Sequence, residues 1–327
     1  MRWAVRGGSP WHGRSAALPL VLALTWVAFA AIAPDSFVRW PILVAMVRQT
    51  TVVALCAVGM TLVIVSGGID LSVGSAVAFT TVVVAALLRA GQSPAIAVLA
   101  GVAAAAASGV ASGALIAWVR MAPFIVTLAA MSLLRGAAKG IAGEQKIDCD
   151  PRGLDALLGA PSATPLFPPG VWIASAVGLG FALALRYTRF GRHVYAVGSN
   201  QATAALCGVD VARVTIAVYG LAGALTGVAG VMEFATLTVG DPTDSIGLEL
   251  EVIAAVVIGG ASLSGGQGTV AGSLLGAMLM SVIRMGFTHV GVHNWVQEMA
   301  TGAIILGAAV LDRWDQARRR GARAAVP

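Results

Sequence analysis

Few ionisable groups interrupt the apolar stretches of this chain, and those few bound the chemistry it could do. Gly67-Gly68-Ile69-Asp70-Leu71-Ser72-Val73-Gly74 sets a carboxylate and two adjacent glycines between long apolar runs. A charge at the centre of a bilayer costs at least ~2.5 kcal/mol. A backbone break at that depth is tolerated only inside protein or beside a water-lined cavity. Asp70 therefore has two readings. It lines a path or gate, or it caps the helix that follows together with Ser72, since Asp and Ser are good N-caps. The cap is the stronger reading, because the stretch has an echo, Gly259-Gly260-Ala261-Ser262-Leu263-Ser264-Gly265-Gly266, in which Ser262 stands for the aspartate. Gly67, Gly68, Asp70, Ser72, Gly259, Gly260 and Ser262 are the candidate gate residues.

Other reactive types lead nowhere. His289 and His293 are spaced for one helix face and Glu298 follows, but the zinc-protease pattern His-Glu-x-x-His is missing and Gly291 weakens a helix there. Cys56, Cys149 and Cys207 have no metal-ligand spacing, and an odd count gives no disulfide framework. Neither a metal site nor an intramembrane protease is expected. Arg48 can snorkel to an interface, whereas Arg284 lies inside a later apolar run and suits an interior cavity. Glu233 is the clearest acidic residue inside a run besides Asp70.

Leu263-Ser264-Gly265-Gly266-Gln267 matches the signature peptide of ABC ATPase domains letter for letter. An ATPase also needs a phosphate loop ending in Gly-Lys-Ser/Thr. Lys139 and Lys146 are the only lysines and neither precedes Ser or Thr, so the pentapeptide reads as a tight break between helices. A sharper signal lies in the basic loop Arg186 to Val209. Ser199 or Asn200 can N-cap a short helix over Ala202 to Cys207, with Gly208 as its left-handed terminator. Such a helix could dock in a partner's groove. An ordinary basic connector would use the same residues.

The elements that must position these groups follow from composition. The chain has 327 residues, 58% hydrophobic and 11% charged. A soluble domain carries about 25% charged residues, so an all-α polytopic membrane protein is predicted. Apolar runs fall near 16–33, 42–65, 72–89, 94–118, 122–140, 171–186, 212–238, 249–262, 269–288 and 295–311. That makes about ten spans of ~20 residues, the glycine-bounded eighth being the least regular. The first run follows Arg2, Arg6 and Arg14 without a cleavage site and reads as a retained helix. The net charge of +6 comes from arginines at both ends and in one loop, which obeys the positive-inside rule and does not make a nucleic-acid patch. An N-terminal arm 1–15, the loop 187–211 and a basic tail 313–327 then lie on the cytoplasmic side, flanking a transmembrane domain 16–312. Opposite them, loop 141–170 and the turn Gly240 to Ser245 form an acidic outer face, with Asp241, Asp244 and Glu249 as docking candidates.

Four co-linear blocks carry a resemblance. Gly59 to Ser75 is the first. Phe124-Ile125-Val126-Thr127-Leu128 leads to Leu134-Arg135-Gly136, and Thr188-Arg189-Phe190-Gly191-Arg192 leads to Tyr195-Ala196-Val197-Gly198-Ser199-Asn200 and Gly208-Val209. Glu249 to Gly260 leads to Ser262-Leu263 and Gly265-Gly266-Gln267-Gly268. Together, over residues 16 to 312, they resemble ribose-type ABC importer permeases of the sugar and branched-chain amino acid permease superfamily. The resemblance implies a transport subunit rather than an enzyme, in a bacterial inner membrane, moving a monosaccharide or polyol by alternating access. It implies a homodimer, a tandem-domain ATPase subunit that holds the ATP-Mg, and a soluble sugar-binding protein outside. No cofactor is implied in this chain. Arg192, Gly198, Ser199, Asn200, Gln201, Ala204 and Gly208 would form the ATPase-coupling loop. Gln201 stands where the family usually has an acidic residue, and Leu248 where an aromatic is common. The rival reading is a stand-alone ion-coupled secondary transporter, which would need membrane carboxylates.

Overall fold

A computed structural model describes residues 11–159 and 167–324. The described residues fold into helices α1 (Trp11–Ile32), α2 (Pro34–Phe37), α3 (Trp40–Val65), α4 (Val73–Arg89), α5 (Pro94–Trp118), α6 (Pro123–Ala142), α7 (Pro169–Tyr187), α8 (Arg189–Ser199), α9 (Gln201–Leu206), α10 (Val211–Leu237), α11 (Leu248–Ile258), α12 (Val270–Val290) and α13 (Asn294–Ala324). Two short strands, β1 (Ile147–Asp148) and β2 (Val239–Gly240), pair antiparallel.

Helix starts follow local chemistry. Proline opens α2, α3, α5, α6 and α7, where its missing N–H leaves nothing unsatisfied. Side chains of Ser93, Asp210 and Thr269 accept hydrogen bonds from the first turns of α5, α10 and α12. Left-handed Gly143 and Gly291 end α6 and α12.

Among the described residues six helices, α3, α5, α6, α7, α10 and α12, are long and apolar enough to cross a membrane. The apolar part of α1 (Leu18–Ile32) and α4 are shorter. The predicted eighth span over 249–262 needs correction. At ~1.5 Å per residue α11 covers only about half of a ~30 Å hydrocarbon core, because it stops at Ile258 and gives way to turns before α12.

The helices are not equally interior. The most apolar window of α10 is 72% buried and that of α3 61%, against 22% for α6 and α7. The first two are the packed centre and the latter two present apolar sides outward. Close approach to α5 explains the burial of α10: a methyl on Gly227 would lie 2.8 Å from the Val102 Cα, so only glycine fits. Thr61 Oγ1 donates to Ser273 Oγ at 2.7 Å and pins α3 to α12.

Loop 141–170 is partly ordered by β1 and a 3₁₀ turn at Leu154–Leu157, while Pro161 and Pro165 lie outside the described residues. Most of the arm 1–15 also lies outside them, at 1–10.

Candidate functional site

The two glycine-rich stretches end their helices in the same way. At the end of α3, Gly67 N–H donates to Ile64 O and Gly68 N–H to Val63 O, with Gly67 at φ +90°. At the end of α11, Gly260 N–H donates to Val257 O and Ala261 N–H to Val256 O, with Gly260 at φ +93°. Both are Schellman stops, which require the left-handed residue that glycine supplies without strain. Gly67 therefore corresponds to Gly260, one residue out of step with the sequence echo.

The turns that follow return to the echo's register. Asp70 Oδ1 accepts from Ser72 N at 2.8 Å and from Ser72 Oγ at 2.6 Å. Ser262 Oγ lies 2.9 Å from Ser264 Oγ. The second copy is thus one residue shorter between helix end and turn. The capping expectation is corrected here. The N-cap of α4 is Ser72, whose side chain makes no cap bond, and Asp70 closes an Asx turn one step earlier. Asp70 is 6% exposed, and Thr127 Oγ1 donates to the neighbouring Ile69 carbonyl at 3.2 Å. The Phe124 to Leu128 block thereby steadies the first break.

Helix α8 brings the two breaks together. It starts where Thr188 accepts from Gly191 N, and it buries Val194 and Val197. Its last turn wedges between the breaks. A methyl on Gly198 would collide with the Val65 carbonyl, and one on Gly265 would lie 2.7 Å from Gly198 O and 2.9 Å from Gly67 Cα. Gly266 N–H donates to Val65 O at 2.8 Å, and Tyr195 Oη donates to Gly268 O at 2.7 Å. Three stretches of backbone thus touch with no side chains between them. The signature-like pentapeptide belongs to this junction.

Immediately beyond stands α9. Asn200 Oδ1 accepts from Thr203 N at 2.9 Å and caps it. Gly208 at φ +82° ends it, with Gly208 N–H to Ala205 O and Val209 N–H to Ala204 O. The helix occupies Gln201–Leu206, one residue earlier than expected. Ala204 alone faces inward at 4% exposure, whereas Leu206 is 89% exposed. Arg192, Ser199, Asn200, Gln201 and Gly208 are also exposed. A short capped helix with an unpartnered apolar tip is suited to a groove.

At the far ends of α4, α6 and α10 the acidic candidates behave differently from expectation. Asp241 is 8% exposed and accepts from Thr243 N–H at 2.8 Å and Thr243 Oγ1 at 2.7 Å, while Lys146 Nζ lies 3.0 Å from its other oxygen. Burial pushes its carboxyl up, but the bonds from Thr243 and Lys146 outweigh that and hold it below the usual range. Asp244 is half-buried, accepts from Ser245 Oγ, and gives its main-chain carbonyl to Arg135 at 2.7 Å. Glu249 is also half-buried. Asp241 and Asp244 are not free carboxylates: both fasten the turn to neighbouring elements.

Sequence reasoning missed one pair. Arg284 Nη1 lies 2.9 Å from Glu251 Oε2, across a gap of 33 residues that no local pattern spans. The pair forms part of the wall of a cavity of about 740 Å³ between α3, α10, α11, α12 and α13. Arg284 was legible as a cavity-facing charge; its partner was not. Among the described residues no cluster of His, Cys, Asp and Glu could hold a metal ion.

Comparison with known proteins decides the family. Residues 42–309 match the family model described as "Branched-chain amino acid transport system / permease component". The chain belongs to this permease family. It is 37% identical to a ribose import permease protein of Escherichia coli, over 91% of this chain and 93% of that protein. It is 38% identical to an L-arabinose ABC transporter permease protein of Azospirillum brasilense, over 83% and 80%. A fructose import permease protein of Rhizobium meliloti is 31% identical over 93% and 86%. No solved structure matches the permease. As a family member the chain is a transport subunit and not an enzyme.

Proposed function

We propose that the chain is the membrane permease of an ABC importer for a monosaccharide or related polyol. It works by alternating access, driven by ATPase subunits that bind α9. A soluble sugar-binding protein delivers substrate on the opposite side. Two copies of the permease form the path, and all of it sits in a bacterial inner membrane with about ten crossings and both termini cytoplasmic, one crossing being made jointly by residues 240–247, which run along α4, and the short α11.

The observation that carries this reading is the continuity from α9 to the two helix breaks. Asn200 joins α9 directly to α8, and α8 contacts Val65, Gly67 and Gly265. A force on α9 has a short route to both breaks, Gly67-Gly68 and Gly259-Gly260, and to Asp70, Ser72 and Ser262 in the turns beyond them. The named relatives support the sugar class, since two are import permeases for ribose and fructose and the third is an L-arabinose ABC transporter permease. Their names also favour an ATP-driven importer over an ion-coupled secondary transporter.

The decisive test is reconstitution in proteoliposomes with the cognate ATPase and binding protein. The chain alone should hydrolyse no ATP. Replacing Asn200 and Ala204 together with tryptophan should abolish sugar-stimulated hydrolysis and uptake while leaving membrane insertion intact. Normal uptake by that double variant would defeat the coupling assignment.

A further inference from the structure

The cavity of about 740 Å³ sits well away from the junction. Its wall takes Arg48 and Gln49 from α3, whose junction end is Val65, so at ~1.5 Å per residue it lies about 25 Å up that helix. Glu251 contributes from the first turn of α11 and Arg284 from the second half of α12, both also remote from the breaks. Its volume falls within the roughly 300–1,000 Å³ of small-molecule sites.

Two polar groups in the wall are unfinished. Glu251 is 7% exposed, and its Oε2 is held by Arg284 while Oε1 has no hydrogen-bond partner among the described residues. Nε of Arg48 is equally buried and without a partner among the described residues. A buried group left unsatisfied costs ~1–3 kcal/mol, more if charged. A wall that keeps an unpaired acceptor and an unpaired donor is arranged to receive a ligand carrying both. Hydroxyl groups do so: each donates to a carboxylate and accepts from a guanidinium.

The balance of charge narrows the class. Glu233, Asp244, Glu251 and Glu298 line the cavity against Arg48 and Arg284. The acidic excess disfavours phosphorylated or carboxylated solutes, and an ammonium group has no acceptor to offer the Arg48 donor, which leaves hydroxyl-bearing neutral solutes.

We propose that this cavity is a way-station that binds a neutral polyhydroxylated solute within the permease, with Glu251 Oε1 and the Arg48 and Arg284 guanidiniums as its hydrogen-bonding groups. This rests on the import reading and deepens it. The permease then contributes selectivity of its own in addition to any supplied by a binding protein.

The test uses the full chain in lipid nanodiscs, without ATPase or binding protein, titrated with ribose, arabinose, fructose and, as an anionic control, gluconate, and read by saturation-transfer NMR. At least one sugar should give weak saturable contact and gluconate none. Glu251→Gln should weaken that contact at least tenfold. Should this variant fail to fold by thermal melting, Arg48→Gln decides, because Arg48 is half-buried and makes no ion pair among the described residues; it should weaken contact at least threefold. No saturable sugar contact, or variants that bind like the unaltered chain, would overturn the proposal. Either result leaves the ATPase-coupling assay untouched, so the two readings fail separately.

Discussion

Asp241 illustrates how the sequence can show a residue's turn while leaving its partner unread. Its position in a Gly-Asp-Pro-Thr-Asp-Ser turn was legible, because those residue types make turns. Its partner Lys146 was not, because it comes from a different loop, brought alongside by the β1–β2 pairing. Titration follows from the geometry. Asp241 has a lowered folded pKa, so its contribution to stability is present above the ordinary carboxylate range, near pH 4, and is lost as pH falls through the folded value. Lys146 is raised by Asp241, so its share persists at neutral pH and is lost only as pH rises through its folded value. Thermal melting of Asp241→Asn and the unaltered chain should therefore differ by a constant amount at neutral pH. The two curves should converge below about pH 4. Asp70 shows the same limit. Its capping chemistry was right in kind, but the N–H it accepts from belongs to Ser72, ahead of α4, a distinction one residue wide.

Among the elements, α9 was the most legible and α11 the least. The α9 signals are local: an Asn cap, six helix-compatible residues and a glycine stop. Length is the trouble with α11, because a run of apolar letters does not say where main-chain bonding ends. The close contact of α8 was signalled only by Gly198, one glycine among 40 in the chain. What that glycine does is testable. An added methyl would meet the Val65 carbonyl and sit 2.7 Å from Gly266 N. Overpacking of this kind costs ~1–3 kcal/mol, so Gly198→Ala should lower the melting temperature by several degrees and uncouple ATP hydrolysis from uptake. Gly180, in α7, has nothing within 4 Å of an added methyl. Gly180→Ala should melt at or slightly above the unaltered chain, and equal effects of the two would refute the junction's tightness.

At the scale of the molecule, the three native cysteines report on how the chain crosses the membrane. Cys207 ends α9 and is exposed, Cys149 lies partly exposed beside β1, and Cys56 is buried in α3. A membrane-impermeant maleimide should label Cys149 in intact spheroplasts and Cys207 only in inverted vesicles. Cys56 should stay unlabelled until the protein is denatured. Labelling of both exposed thiols from one side would overturn the even-numbered topology. Composition alone was enough for the membrane class. The central burial of α10 was beyond it, because which helix lies inside depends on glycines such as Gly227 meeting another helix.

The junction at Gly67, Gly198 and Gly265 is built from main chain, while the outward side of α9 is built from side chains. On the coupling role proposed for α9, recognition and transmission are written in different alphabets. Surface letters on α9 can be exchanged to suit another motor without altering the hinge beneath, so grafting Gln201–Leu206 from a relative should re-address the transporter to a foreign engine while its gearing stays the same.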